Sequence, residues 1–221
     1  MNRKSQIFFP FIEYERKIHL QESAYSEWQM HCAVYDPAGK VCAVPYEAAN
    51  PYLKHSIDWM WYLIDAPGEY RRCDFSAFSD LERYFLLRMK VELRFFIPWR
   101  SMDPEYQDLL LAYHPYLAQD AGELQALSGN HWQKILQCHP EYRLVCPWEK
   151  LSGDNLQVIL TGHPELAACC DFSRLSPENW AGLLKMQIRF LPLCPQKIRM
   201  AFPDELKKEL FFIYPEIRKL E

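Results

Sequence analysis

Thiols and imidazoles are the side chains of this sequence best suited to chemistry. Cysteine stands at Cys32, Cys42, Cys73, Cys138, Cys146, Cys169, Cys170 and Cys194, and His114, His139 and His163 run among them. A structural zinc site needs close Cys or His pairs, and no Cys-x-x-Cys occurs here. The three histidines recur at steps of 25 and 24 residues. If they lie on successive packed helices they are roughly 10 Å apart, whereas ligands of one zinc ion share a centre about 2.0–2.3 Å away. Cys138, His139 and Cys146 form the one local set that could hold a metal. The histidines are instead read as closing helix ends ahead of proline. The vicinal pair Cys169-Cys170 could be redox-active, but one of its thiols falls in a core position. There is no phosphate-cradling glycine loop, G-x-S-x-G, H-E-x-x-H or outstanding carboxylate pair. The expectation is a chain with no catalytic residue, no cofactor and no metal.

The elements that carry these residues repeat. LSGNHWQKILQCHPEYRLVCPWEK, LSGDNLQVILTGHPELAACCDFSR and LSPENWAGLLKMQIRFLPLCPQK begin at Leu127, Leu151 and Leu175, a period of 24. Cys146, Cys170 and Cys194 keep the same step, and stepping backwards reaches Ala121, Ile97 and Cys73. The phrases CDFS at Cys73 and Cys170, and PW after Ile97 and Cys146, agree with that register without having set it. About six units follow from residue 55, with extra residues near 121–127 and 199–202. In each, a serine (Ser128, Ser152, Ser176) is placed to cap a helix. Trp132, Ile135, Leu136, then Leu156, Ile159, Leu160, then Trp180, Leu183, Leu184 build one apolar face by i, i+3, i+4 spacing. The His-Pro step ends the helix and its proline opens a second, short one. That short helix contributes Tyr142, Leu166 or Phe190 to the core. Phe75, Trp99, Trp148 and Phe172 are expected to pack between units. The second unit has Val91 where others have proline, which predicts one continuous helix from about Asp80 to Phe96.

The 221 residues are 49% hydrophobic and 24% charged, the balance of a globular chain, and the formal charge is −4. Nothing here draws the whole molecule to nucleic acid or membrane. No apolar run approaches the roughly 18 residues needed to span a bilayer, and a cytoplasmic location is expected. Residues 1–54 fall outside the repeat and are expected to cap the array, with a β-hairpin over 28–45 around Pro37-Ala38-Gly39. The array occupies 55–221. Arg71, Arg72, Arg83, Arg88, Lys90 and Arg94 are expected to form a basic docking patch. An acidic stretch with no Lys or Arg follows (Asp103, Glu105, Asp108, Asp120, Glu123).

The CDFS and W-x-x-LL-x-x-HP phrases resemble short tandem repeats of uncharacterised bacterial proteins, W-x-x-LL-x-x-QP followed by C-[DP]-[WF]-S-x-L at the same period. The resemblance covers roughly residues 55 to 217 and implies a helical array rather than an activity. The period is also similar to that of leucine-rich variant repeats, which alternate an α-helix with a short 3-10 helix. The expected fold is all-α: a right-handed α-solenoid of about six two-helix units. The expected function is a non-enzymatic protein–protein interaction scaffold or adaptor, as a subunit of a larger bacterial complex. The alternative is a nucleic-acid-binding array using the basic Arg71–Arg100 segment, in which Glu82 and Glu92 interleave. Trp132 and Trp180 belong to the core in either case and are not base-stacking platforms.

Overall fold

The structure, a computed structural model, describes residues 45–215. The described residues are helical, with no strand among them. Seven ten-residue helices dominate: α1 (Ser56–Asp65), α2 (Asp80–Met89), α3 (Pro104–Tyr113), α4 (Gly129–Cys138), α5 (Gly153–Gly162), α6 (Pro177–Met186) and α7 (Asp204–Ile213). Their starts step by 24 residues except for 25 between α3 and α4 and 27 between α6 and α7. Those exceptions fall close to where the sequence register needs extra residues. Short 3-10 turns, among them Pro67–Arg72, Val91–Phe95, Pro140–Leu144, Pro164–Cys169 and Ile188–Leu193, connect the long helices.

The chain forms two compact units, one ending at Leu117 and one beginning at Ala118. In the first, α1 packs on α2 and α2 on α3. In the second, α4, α5 and α6 pack in succession and α7 lies against α6. The faces in contact are those that the spacing predicts. Trp132, Ile135, Leu136, Ile159, Leu160, Trp180, Leu183 and Leu184 are fully buried, and so are Met60, Leu63, Leu86 and Leu87 in the first unit. Each large aliphatic contributes about 1.5–3 kcal/mol by leaving water, more than any single cap.

The helix starts are built twice over. Ser79, Ser128, Ser152 and Ser176 each accept a hydrogen bond from the amide three residues on. At three of these starts the residue in that position accepts from the serine amide in return: Glu82 at 2.7 Å, Asn155 at 3.0 Å and Asn179 at 3.1 Å. These side chains are buried and also reach the preceding helix. Asn155 Nδ2 donates to Asn130 Oδ1 (2.9 Å) and Gln133 Oε1 (2.7 Å). Asn179 repeats this with Asp154 and Gln157, and Glu82 accepts from Ser56 Oγ at 2.7 Å. A local cap thus doubles as a clip between successive helices, and it satisfies polar groups that would otherwise be costly to bury.

All seven long helices end the same way. The residue after each (Ala66, Lys90, His114, His139, His163, Gln187, Tyr214) has φ between −142° and −125° and ψ between 63° and 77°. Proline enforces non-helical geometry on the residue before it in most of these. At Lys90 and Gln187 no proline follows. The continuous helix expected over Asp80 to Phe96 is therefore corrected: α2 stops at Met89 and a 3-10 turn covers Val91–Phe95. The break buries Leu93 and Ile97 beside the core. That apolar burial favours the same kink without the proline.

The hairpin expected over 28–45 lies outside the described residues except for Pro45, as does most of the expected cap over 1–54. The described part of that stretch is a helical turn, Tyr46–Ala49, and a 3-10 turn, Asn50–Tyr52. Ala49 and Leu53 pack with Tyr62 of α1.

Candidate functional site

The thiols differ in burial. Cys146 and Cys194 are buried, Cys73, Cys169 and Cys170 are half-buried, and Cys138 is exposed. Cys32 and Cys42 lie outside the described residues. Burial pushes the thiols of Cys73, Cys146 and Cys170 up to about 12 and that of Cys194 to about 11, the opposite of what a nucleophile needs. Cys146 lies in the neighbourhood of Cys169 and Cys170. Among the described residues no three His, Cys, Asp or Glu side chains are gathered to hold a metal.

His114 and His163 cap helices, in a way that spacing alone did not reveal. His163 Nε2 lies 3.0 Å from the carbonyl of Gln137, the penultimate residue of α4. His114 makes the same contact with Arg88, the penultimate residue of α2, also at 3.0 Å. Gln187 Nε2 donates to Thr161 of α5 at 2.9 Å, and Tyr214 Oη donates to Lys185 of α6 at 3.1 Å. Each of these four closing residues satisfies an orphan carbonyl of the helix before it. His163 Nδ1 also faces the Glu165 carboxylate at 2.9 Å. Burial pulls the His163 imidazole down, but the bonds to Gln137 and Glu165 outweigh it and leave the pKa raised. At Gln187 the partner is inverted: Arg189 donates to the amide oxygen at 3.1–3.2 Å.

The six basic residues of the expected patch divide by environment. Arg83 is architectural. It holds the helix position that Trp132 holds in α4, and it captures the Phe75 carbonyl at 3.2 Å as Trp132 Nε1 captures that of Leu124 at 3.0 Å, each eight residues upstream. Arg88 is half-buried, its guanidinium 4.3 Å over the Tyr113 ring. Arg72 is paired with Glu69 at 2.7 Å and lies over Tyr46. Lys90 is the half-buried residue that ends α2. Arg71 is exposed beside Tyr70, and Arg94 lies 4.1 Å over the Phe95 ring.

The structure adds exposed apolar side chains that sequence reading missed. Phe95 is 74% exposed and Phe96 46%, although Phe96 stacks on Tyr70 at 3.8 Å. In the second unit Leu144 is 85% exposed, and Val145 and Leu193 are also exposed. All occupy one or both of the two places before the Ile97, Cys146 and Cys194 positions, at the end of a 3-10 turn. In the first unit Arg71 and Arg72 hold the same places before Cys73. The available signal was this register: residues just before a buried position in a 3-10 turn face away from it.

In each unit taken by itself, short turns leave rings or aliphatic chains uncovered. No helix among the described residues is long and apolar enough to cross a membrane. Compared with family models, with curated proteins and with solved structures, the chain matches none.

Proposed function

We propose that this chain is a non-enzymatic scaffold or adaptor that holds another protein on the outer side of a right-handed helical solenoid built from 24-residue repeats. The observation that carries this reading is the set of large apolar side chains left in water at repeat-equivalent places, Phe95 and Phe96 in one unit and Leu144, Val145 and Leu193 in the other. Large apolar groups clustered in water mark sites that a partner covers, and stacked helical repeats present their short turns as extended binding surfaces. The resemblance to bacterial tandem repeats supports the same architecture. The six cysteines among the described residues are free thiols, which suits a reducing compartment, the cytoplasm.

A photo-crosslinking side chain placed at Phe95, at Leu144 and, as control, at the exposed Lys208 tests it in producing cells. Expected is a discrete protein adduct at the first two positions and not at the third. Adduct-free chain at Phe95 and Leu144 would remove the reading. A nucleic-acid adduct there, with binding that collapses as salt is raised, would replace it with the alternative built on the Arg71–Arg100 segment.

A further inference from the structure

Resting on that reading, we infer that Tyr70, Arg71, Arg94, Phe95 and Phe96 form a docking surface for an acidic peptide segment of the partner. Two carboxylates of the segment meet Arg71 and Arg94, and an aromatic or large aliphatic side chain lies on Phe95 and Phe96.

The surface is continuous. The Tyr70 and Phe96 rings stack at 3.8 Å with planes 26° apart, which joins the turn Pro67–Arg72 to the turn Val91–Phe95. Its cations are held ready. Arg71 Nε donates to Tyr70 Oη at 3.1 Å, and the guanidinium stands 5.6 Å from that ring. Arg94 lies over Phe95 and donates to the Val91 carbonyl at 3.2 Å. A guanidinium resting on a ring loses less freedom on binding and keeps N–H donors in a geometry that matches a carboxylate.

Charge selects the occupant. Among the described residues neither Arg71 nor Arg94 has a carboxylate at ion-pair distance, whereas Arg72 is paired with Glu69 and Arg83 with Asp80. These two cations therefore await an anion. A nucleic-acid backbone fits less well. Exposed Asp74 and Glu92 flank the same turns, and hydrogen bonds from the Ser76 hydroxyl and amide hold the Asp74 carboxyl below the usual range. A run of phosphates crossing the surface would meet those charges, whereas a short segment with two carboxylates passes between them. The uncovered Phe95 ring then supplies the apolar anchor that such interfaces centre on.

The test is selection of short random peptides on the intact chain, beside Arg71→Glu/Arg94→Glu and Phe95→Ser, with circular dichroism confirming that all fold alike. Expected are peptides with Asp or Glu beside Phe, Trp or Leu, bound at least about tenfold more weakly by either variant. Neutral or basic apolar peptides that need Phe95 would overturn the charge assignment while leaving the partner-holding reading in place. Acidic peptides bound equally by the variants would overturn the assignment to this surface. Enrichment of nothing would overturn both. A short uridine oligonucleotide, measured in parallel, overturns the peptide assignment if it binds more tightly and loses that binding in the charge-reversed variant.

Discussion

His163 shows how one side chain can serve the fold while its protonation is favoured. Its two ring nitrogens face acceptors, the Gln137 carbonyl and the Glu165 carboxylate. Only the protonated ring donates to both. Its folded pKa is raised, so its contribution is fully present below the unfolded value of about 6.5 and is lost as pH climbs through the folded value. The urea midpoint should therefore drift down as pH rises from about 6 toward 8. In the double variant His163→Gln/Glu165→Arg, which copies the Gln187–Arg189 pairing, that drift should be smaller. Glu165 is exposed and the pair is screened by solvent, so the effect is small. Arg83 makes a sharper case. Its sequence context reads as part of a basic helix face, and its contacts show it standing in for tryptophan. Arg83→Glu sets a carboxylate against the Phe75 carbonyl and should cost about 1–3 kcal/mol in chemical denaturation. Arg83→Trp should cost clearly less. Charge-reversal tests of docking therefore belong at Arg71 and Arg94. What the sequence hid here is identity by position: an arginine and a tryptophan doing the same job share no hydropathy.

At the scale of the element, helix starts were readable and one helix stop was not. Ser128, Ser152 and Ser176 announce their caps because a hydroxyl before an apolar run has few other uses. The buried partners Asn155 and Asn179 were not legible, since their second role depends on the preceding helix. The stop at Met89 was missed because the reading relied on proline, and Lys90 adopts the same kink without one. Glycines at the helix starts carry a further constraint that only packing shows. A Cβ on Gly153 would collide with the Arg174 carbonyl of the following turn, as one on Gly129 would with that of Lys150. Backbone cannot give way as a side-chain tip can. Gly153→Ala should then destabilise by about 1–3 kcal/mol. Gly162→Ala, at the end of the same helix with open space around it, should be neutral or stabilising by up to about 1 kcal/mol. Thermal or urea unfolding of the two variants side by side separates close approach from helix propensity.

Over the whole chain the period was the legible quantity. Leucine, cysteine and the His-Pro step fixed a 24-residue register that the seven long helices follow, with insertions near the places it required. The exposed apolar side chains were invisible by comparison, because Phe95 and Phe96 in one unit and Leu144 and Leu193 in the other look like core residues until the 3-10 turn turns them outward. No motif in the sequence names a function. In each compact unit sequential helices are joined by an apolar face with polar clips at its ends, so stability should be distributed along the units and low in their outer turns. Amide hydrogen exchange on the full chain, alone and with the partner crosslinked at Phe95, addresses this most directly. Expected are protected amides in the long helices in both states, with new protection on binding centred on Pro67–Arg72 and Val91–Phe95. Protection gained on other surfaces alone, or long helices that exchange as fast as the turns between them, would contradict it.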